Sequence, residues 1–79
     1  MTFTERSTHL EITQESSGLR HYLAGRPVHA GSLLRLKING QWQAGRYEWI
    51  FRSDQPAYFI MPDDSAVAIR DSDELCWPE

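Results

Sequence analysis

Residues 33–42 read LLRLKINGQW, and this stretch decides the fold class. From position 34 to position 38 every second residue is apolar and the residues between are basic, as in a strand with one face in a core and the other in water. Asn39-Gly40 follows, and an Asn-Gly pair tolerates the positive φ angles of a two-residue hairpin turn. The stretch therefore predicts a β-hairpin whose return strand covers residues 41–51. Within that strand, Ala44-Gly45 predicts a bulge or a bend.

The same alternation continues on both sides of this hairpin. Upstream, residues 9–13 and 19–23 predict an N-terminal hairpin with Gly18 in its turn, and residues 25–27 predict a turn that ends it. Downstream, the further predicted strands cover residues 57–61, 66–69 and 75–77, with a short 3₁₀ turn at residues 70–74. No window keeps the apolar spacing of a helix. We therefore expect an all-β chain with no long helix, in which five to seven short antiparallel strands close into a small barrel preceded by the N-terminal hairpin.

Length and composition indicate one small domain. The chain has 79 residues, of which 41% are hydrophobic and 24% are charged. This length allows a single domain, and this composition is sufficient to build a small core. Residues 1–8 lack the alternation, so we expect a flexible arm there and one β-barrel domain over residues 9–79.

Charge and cysteine content limit the classes of partner and compartment. The 8 Lys and Arg against 11 Asp and Glu give a net charge of −3, which disfavours nucleic-acid binding. Residues 63–79 carry six of those acids and one base, Arg70, so this end is either a solvated acidic turn or a surface for a basic partner. Cys76 is the only cysteine, which excludes an intramolecular disulfide and favours a reducing compartment. With no signal-peptide pattern and no apolar run of about 20 residues, we expect a cytoplasmic protein away from membranes.

No residue pattern points to catalysis or metal binding. His9, His21 and His29 are 12 and 8 residues apart, which matches no zinc-ligand spacing, so ordinary surface or half-buried histidines are the simpler interpretation. Asp63 and Asp64 are adjacent in a predicted turn, where neighbouring side chains point different ways and do not share a proton. We therefore predict no enzyme, no cofactor and no metal site.

Four residues over positions 31–78 form a pattern: Gly31 before the first strand, Trp42 at the hairpin tip, the small Gly45 three positions on, and Leu75 after a short acidic turn. With this pattern, residues 31–78 resemble a Tudor or SH3-like barrel. The resemblance implies a small barrel that closes at that leucine.

The same resemblance implies an aromatic cage at one barrel end, which holds a methylated lysine or arginine by cation–π attraction. Trp42 and Tyr58 occupy the matching positions, with Phe59 beside them. The turn at residues 62–65 departs from the family pattern, since it lacks the aromatic and the asparagine often found there. Residues 23–32 also resemble a short bacterial family of unknown function, which implies no activity.

A surplus of aromatic side chains indicates a binding surface. Three Phe, three Trp and three Tyr are more than so small a core can bury completely. We therefore expect a non-enzymatic module that binds a protein or peptide through an exposed aromatic edge at Trp42. The candidate binding residues are Trp42, Tyr58, Phe59, Arg26, Asp63 and Asp64.

Two other functions are compatible with the sequence. The chain is short and acidic enough for a phage or mobile-element inhibitor that blocks a basic surface of a larger complex with residues 63–79. An enzyme is the third hypothesis, and it needs an oligomer interface to build a site. The oligomeric state is left open between a monomer and a homodimer, and in the dimer residues 10–13 pair with their counterpart.

Overall fold

The computed structural model describes residues 8–50 and 52–78, and these contain strands and no helix. The described residues therefore include no helix that is long and apolar enough to cross a membrane. The strands are β1 (Glu11–Glu15), β2 (Gly18–Leu23), β3 (Arg26–Pro27), β4 (Leu33–Ile38), β5 (Gln41–Glu48), β6 (Tyr58–Ile60), β7 (Ala66–Ala68) and β8 (Leu75–Cys76). The prediction of an all-β chain is confirmed.

The strands form two antiparallel sheets. One has the order β1-β2-β3 and the other the order β7-β6-β5-β4-β8. β7 and β8 lie at opposite edges of the larger sheet and do not pair with each other. The expected closure into a barrel is therefore wrong for the described residues. The physical reason is that the smaller sheet supplies the second layer, because Leu23 and Val28 pack into the core and cover the apolar face of the larger sheet.

The deciding hairpin forms as predicted. Asn39 and Gly40 have φ angles of 52° and 80°, the left-handed values of a type I′ turn. The predicted bulge in β5 is wrong, since pairing runs unbroken from Ile38 and Gln41 to Leu33 and Arg46.

Gly45 has a packing role in β5. A Cβ atom built there would lie 2.5 Å from Cε2 of Phe59 and 2.6 Å from the carbonyl oxygen of Ile60. Glycine is therefore required because β6 and the Phe59 ring cross close over β5.

The N-terminal segment differs from the prediction in its turns. The predicted turn at residues 25–27 is wrong: Ala24 and Gly25 make the turn, with φ angles of 53° and 80°. Arg26 and Pro27 then return as β3 and pair with Leu23 and Tyr22. The prediction missed this strand because a proline-containing pair ordinarily signals a turn.

Several element ends also differ from the prediction. β5 ends at Glu48 rather than at residue 51. Residues 70–74 form a turn rather than a 3₁₀ helix, and the Asp73 N–H closes this turn by donating to the Arg70 carbonyl at 3.0 Å. Of the predicted arm, only Thr8 falls within the described residues, and its carbonyl accepts a 2.6 Å hydrogen bond from the Leu75 N–H. Phe51, the predicted end of the return strand, lies outside them.

The core lies between the two sheets. Its buried side chains are Leu23, Val28, Leu34, Leu36, Tyr47, Trp49, Ala57, Phe59 and Leu75. Leu34 and Leu36 come from β4 at the predicted spacing, and Tyr47 and Trp49 fill the interior from one face of β5 and the residue after it. The opposite face of the larger sheet, here called the outer face, is left to solvent.

Candidate functional site

The outer face carries side chains that alternate with the core residues. On β4 these are Leu33, Arg35 and Lys37, on β5 they are Trp42, Ala44, Arg46 and Glu48, and on β6 they are Tyr58 and Ile60. Each follows from strand alternation, because the residues between them, such as Leu34 and Tyr47, point into the core. The outer face is therefore a mixed basic and apolar surface.

Trp42 and Lys37 form the most exposed aromatic contact on the outer face. They are direct cross-strand partners, and the Lys37 Nζ lies 5.6 Å from the centroid of the Trp42 ring. The Trp42 side chain is nevertheless 40% exposed, and Leu33, further along β4, is 67% exposed. An aromatic surface at Trp42 is thus present at the tip of the hairpin.

Two of the three basic side chains on β4 and β5 form no ion pair among the described residues, and Glu74 is the cross-strand neighbour of one of them, Lys37. In the part of the chain that the structure describes, neither Arg35 nor Lys37 forms an ion pair with a carboxylate. Arg46 pairs with Glu48 at 3.3 Å, with both side chains over 40% exposed. β4 and β5 together therefore present three basic groups and one acidic group to solvent, a net +2 on a chain whose net charge is −3.

Trp42 and Tyr58 do not come together. Tyr58 pairs with Glu48, which is six residues along β5 from Trp42 and on the same face. At a rise of about 3.3 Å per residue the two rings are attached roughly 20 Å apart. The two matching positions therefore do not form an aromatic cage, and Lys37 already occupies one side of the Trp42 ring.

Two other candidate residues have structural roles. Phe59 is fully buried, with 0% of its surface exposed, so its ring belongs to the core and not to the surface. Arg26 lies over the Trp77 ring, with Cζ 4.2 Å from the centroid, while the Trp77 indole N–H donates to the Leu23 carbonyl at 2.8 Å. Arg26 therefore helps fasten the C-terminal segment to β2 and β3.

The acidic candidates lie in the turn between β6 and β7. Asp63 Oδ1 accepts from the Ser65 hydroxyl at 2.7 Å and from the Ser65 N–H at 3.0 Å, and these hydrogen bonds lower the pKa of Asp63. Asp64 is exposed and has a positive φ of 71°.

Asp73 also accepts hydrogen bonds within a turn, from Arg70 in the segment between β7 and β8. Burial would raise its pKa, but the hydrogen bonds and the charge of Arg70 outweigh burial and lower it. Two of the six acids in residues 63–79 are thus engaged in building turns.

Sequence reasoning missed a cleft between the N-terminal hairpin and the loops after β5 and β7. The cleft has a volume of about 410 Å³ and is lined on its apolar side by Leu10, Trp49 and Ile69 and on its polar side by Asp54 and Asp71, with His21 between the sheets. The signal for His21 was available, since it alternates with Leu19 and Leu23 on the core side of β2.

His21 connects the two sheets. Its Nδ1 lies 2.7 Å from the Tyr47 hydroxyl, and its ring centroid lies 4.1 Å from that of Trp49. Burial lowers the pKa of His21, and the Asp71 carboxylate opposes this effect. Burial also raises the pKa of Tyr47. A neutral imidazole and a protonated phenol therefore share this hydrogen bond at neutral pH, and the histidine acts as a link between β2 and β5.

No group of three or more His, Cys, Asp and Glu side chains within residues 8–50 and 52–78 is arranged to hold a metal ion. Comparison of the chain with protein-family models, with curated proteins and with solved structures finds no match. The Tudor or SH3-like resemblance therefore stays a proposal.

Proposed function

We propose that the protein is a non-enzymatic binding module whose outer face takes an acidic segment of a partner protein. The observation that carries this proposal is a pair of basic side chains that form no ion pair among the described residues, with Lys37 beside the exposed ring of Trp42 and Arg35 two residues away on β4. An exposed aromatic ring beside unneutralised cations suits a ligand that is partly apolar and partly anionic.

The spacing of the basic groups specifies the ligand further. Arg35 and Lys37 are two residues apart on one strand, so their attachment points are separated by about 6.6 Å. Side chains at positions i and i+2 of an extended peptide have the same separation. A segment with acidic residues at i and i+2 and an apolar residue at i+4, on the same side of the peptide, therefore matches β4 and Trp42.

The Tudor or SH3-like relationship belongs to the same proposal, in a modified form. It is supported by the order of the larger sheet, in which β8 returns beside β4 after the β4-β5-β6-β7 meander, and by the buried Leu75 after the acidic turn. A methylated cation as ligand has less support, because Lys37 competes for the Trp42 ring. An acidic ligand, in contrast, is attracted by Lys37.

The alternative of an acidic inhibitor has less support from the geometry. Asp63 and Asp73 hold turns through hydrogen bonds from Ser65 and Arg70, so the acidic end is partly committed to its own fold. Nucleic acid is disfavoured as a ligand because two cations that are unpaired among the described residues, on a chain of net charge −3, are too few to neutralise a run of phosphates, whereas they match two carboxylates.

The test uses two synthetic extended peptides and the tryptophan fluorescence of the protein. One peptide carries Glu at positions i and i+2 and Val at position i+4, so that all three side chains point to the same side, and the other carries Gln in place of each Glu. We expect the Glu peptide to bind the wild-type chain, to bind the Arg35→Gln/Lys37→Gln variant at least tenfold more weakly, and to lose affinity as salt is added. Arg52→Gln/Arg70→Gln is the matched control, since it also removes two positive charges and both side chains are exposed in loops.

Two results would contradict the proposal. One is equal binding of the Glu and Gln peptides. The other is equal loss of binding in the Arg52→Gln/Arg70→Gln control, which would show that net charge alone and not the outer face determines affinity. Single-stranded DNA in the same titration detects a general preference for anions.

A further inference from the structure

The four edge strands of the two sheets differ in how well they are protected against pairing with another chain. β3 contains Pro27, and β8 has only two residues and is followed closely by Pro78. β1 begins and ends with a glutamate, so antiparallel pairing of two copies centred on Thr13 would place Glu11 opposite Glu15. Short length, proline and charge are the usual devices that keep edges unpaired.

β7 contains no proline and no charge, and with three residues it is longer than β3 and β8. Its sequence is Ala66-Val67-Ala68, and all three residues are exposed, with Val67 at 37%. Among the described residues it is the outermost strand of the larger sheet and pairs with β6 alone. The edge is thus uncharged, carries only small side chains and is open to solvent.

The register shows which backbone groups of β7 are free. The Met61 N–H donates to the Ser65 carbonyl, and the Ile69 N–H donates to the Ala57 carbonyl, both at 2.8 Å. In an antiparallel pair the residues that bond to the neighbouring strand alternate with those that point away. Residue 67 therefore bonds to β6, and the N–H and C=O groups of Ala66 and Ala68 point outward from the sheet.

We propose that two copies of the chain associate through β7 in antiparallel orientation, about a two-fold axis at Val67. In this register Ala66 of each copy faces Ala68 of the other, and all four outward N–H groups meet outward carbonyls. The two Val67 side chains meet across the axis. The pairing is isologous, because residue 66 of one copy contacts residue 68 of the other and the reverse holds by symmetry.

Charge at the strand ends agrees with this register. Asp64 and Arg70 lie two residues beyond the ends of β7, and the register brings Asp64 of each copy opposite Arg70 of the other, which gives two opposite-charge contacts by symmetry. Arg70 also pairs with Asp73 of its own chain, but its side chain is 77% exposed and has further N–H groups to donate. Asp63 and Asp71 come next, and the Asp63 carboxylate is held by Ser65 within its own turn. The innermost charged contacts are therefore attractive.

The dimer is expected to be weak. Three residues per copy bury far less than the roughly 1,200 Å² of a standard stable interface. The association should therefore depend on concentration, with the mass measured by sedimentation equilibrium rising from 9.2 kDa towards twice that value over about 10 μM to about 1 mM chain.

The first test removes one outward donor. Ala68→Pro deletes an N–H that points away from β6, so the intramolecular pairing of β7 is kept while two of the four intermolecular hydrogen bonds are lost. We expect this variant to remain at the monomer mass over the whole range. Ala68→Ser is the matched control, because it keeps the N–H and should dimerise as the wild type does.

The second test measures the pairing register by cross-linking, and it does not depend on whether the proline variant folds. Val67 lies on the proposed two-fold axis in a non-hydrogen-bonded pair, where the two Cα atoms are about 4.5 Å apart and a disulfide fits. Val67→Cys in a Cys76→Ala background should therefore form a covalent dimer under mild oxidation. Thr13→Cys in the same background is the control on the β1 edge and should remain mostly monomeric.

Three results would overturn the proposal. The first is a wild-type chain that stays monomeric at the highest concentration, which would mean that β7 pairs with a strand of a different protein. The second is an Ala68→Pro variant that dimerises as the wild type does. The third is a Thr13→Cys variant that cross-links as fast as Val67→Cys. The inference does not rest on the proposed function, since the outer-face ligand and the β7 edge involve different groups.

Discussion

The Nδ1 atom of His21 lies 2.7 Å from the hydroxyl oxygen of Tyr47, and this contact joins β2 in the smaller sheet to β5 in the larger one. The two residues are 26 positions apart in the chain. The imidazole also stacks on Trp49, so one side chain makes both a polar and an aromatic contact across the layers. The stability of the two-layer arrangement should therefore respond to the protonation of this histidine.

Stability should fall as the medium becomes acidic through the titration range of His21. Burial places the pKa of His21 below its ordinary value of 6.5, so the unfolded chain takes up this proton at a higher pH than the folded chain does. Lowering the pH through 6.5 towards the folded pKa therefore favours unfolding. The measurement is the midpoint of urea unfolding at several values between about pH 7.5 and about pH 5.

The control for that experiment is His21→Gln, which removes the titrating group. Its midpoint should start lower and change less over the same pH range. A wild-type midpoint that rises on acidification would contradict the assignment.

Tyr47→Phe tests the other side of the same contact. The ring stays in the core, where Tyr47 is fully buried, but the hydroxyl partner of His21 is lost. We expect a loss of about 1 kcal/mol in the free energy of unfolding. Tyr22→Phe is the matched control, since its hydroxyl donates to Glu15 within the half-exposed hairpin. An equal loss in the free energy of unfolding for the two variants would show that the hydrogen bond between the sheets stabilises the fold no more than the one within the hairpin.

Gly45→Ala should destabilise the chain by about 1–3 kcal/mol because the added methyl group overlaps the Phe59 ring and the backbone of β6. The neighbouring Ala44 lies on the outer face and is exposed, so Ala44→Ser should change stability by less than about 0.5 kcal/mol. Chemical denaturation of both variants measures the difference. A Gly45→Ala protein as stable as the wild type would mean that β6 does not cross β5 as closely as described.

Acrylamide should quench the three tryptophans unequally. Trp42 is 40% exposed whereas Trp49 is 6% exposed, so the readily quenched part of the fluorescence should belong mainly to Trp42. In the Trp42→Phe variant this part should largely disappear, while Trp49→Phe should leave it in place. If Trp42→Phe leaves the quenching unchanged, the aromatic surface on the outer face is absent in solution.

Features that depend on consecutive residues could be predicted from the sequence. The Asn39-Gly40 turn and the alternation of β4 depend only on neighbours along the chain, because turn conformation and strand period are properties of a few consecutive residues. The core positions Leu34, Leu36 and Tyr47 followed from the same period.

Several features depended on strands that are distant in the sequence. Pairing register places Tyr58 at the far end of β5 from Trp42, which the residue types alone did not indicate. The packing of the two sheets against each other brings His21 into contact with Tyr47.

The same holds for the edges. The alternation of residues 66–69 predicts a strand, but whether that strand is central or outermost depends on which neighbours pair with it. Periodicity specifies which side of a strand is apolar, since every second side chain points the same way. It does not specify which strands are adjacent, because adjacency comes from the packing of the whole core, and so the choice between a closed barrel and two open sheets required the fold.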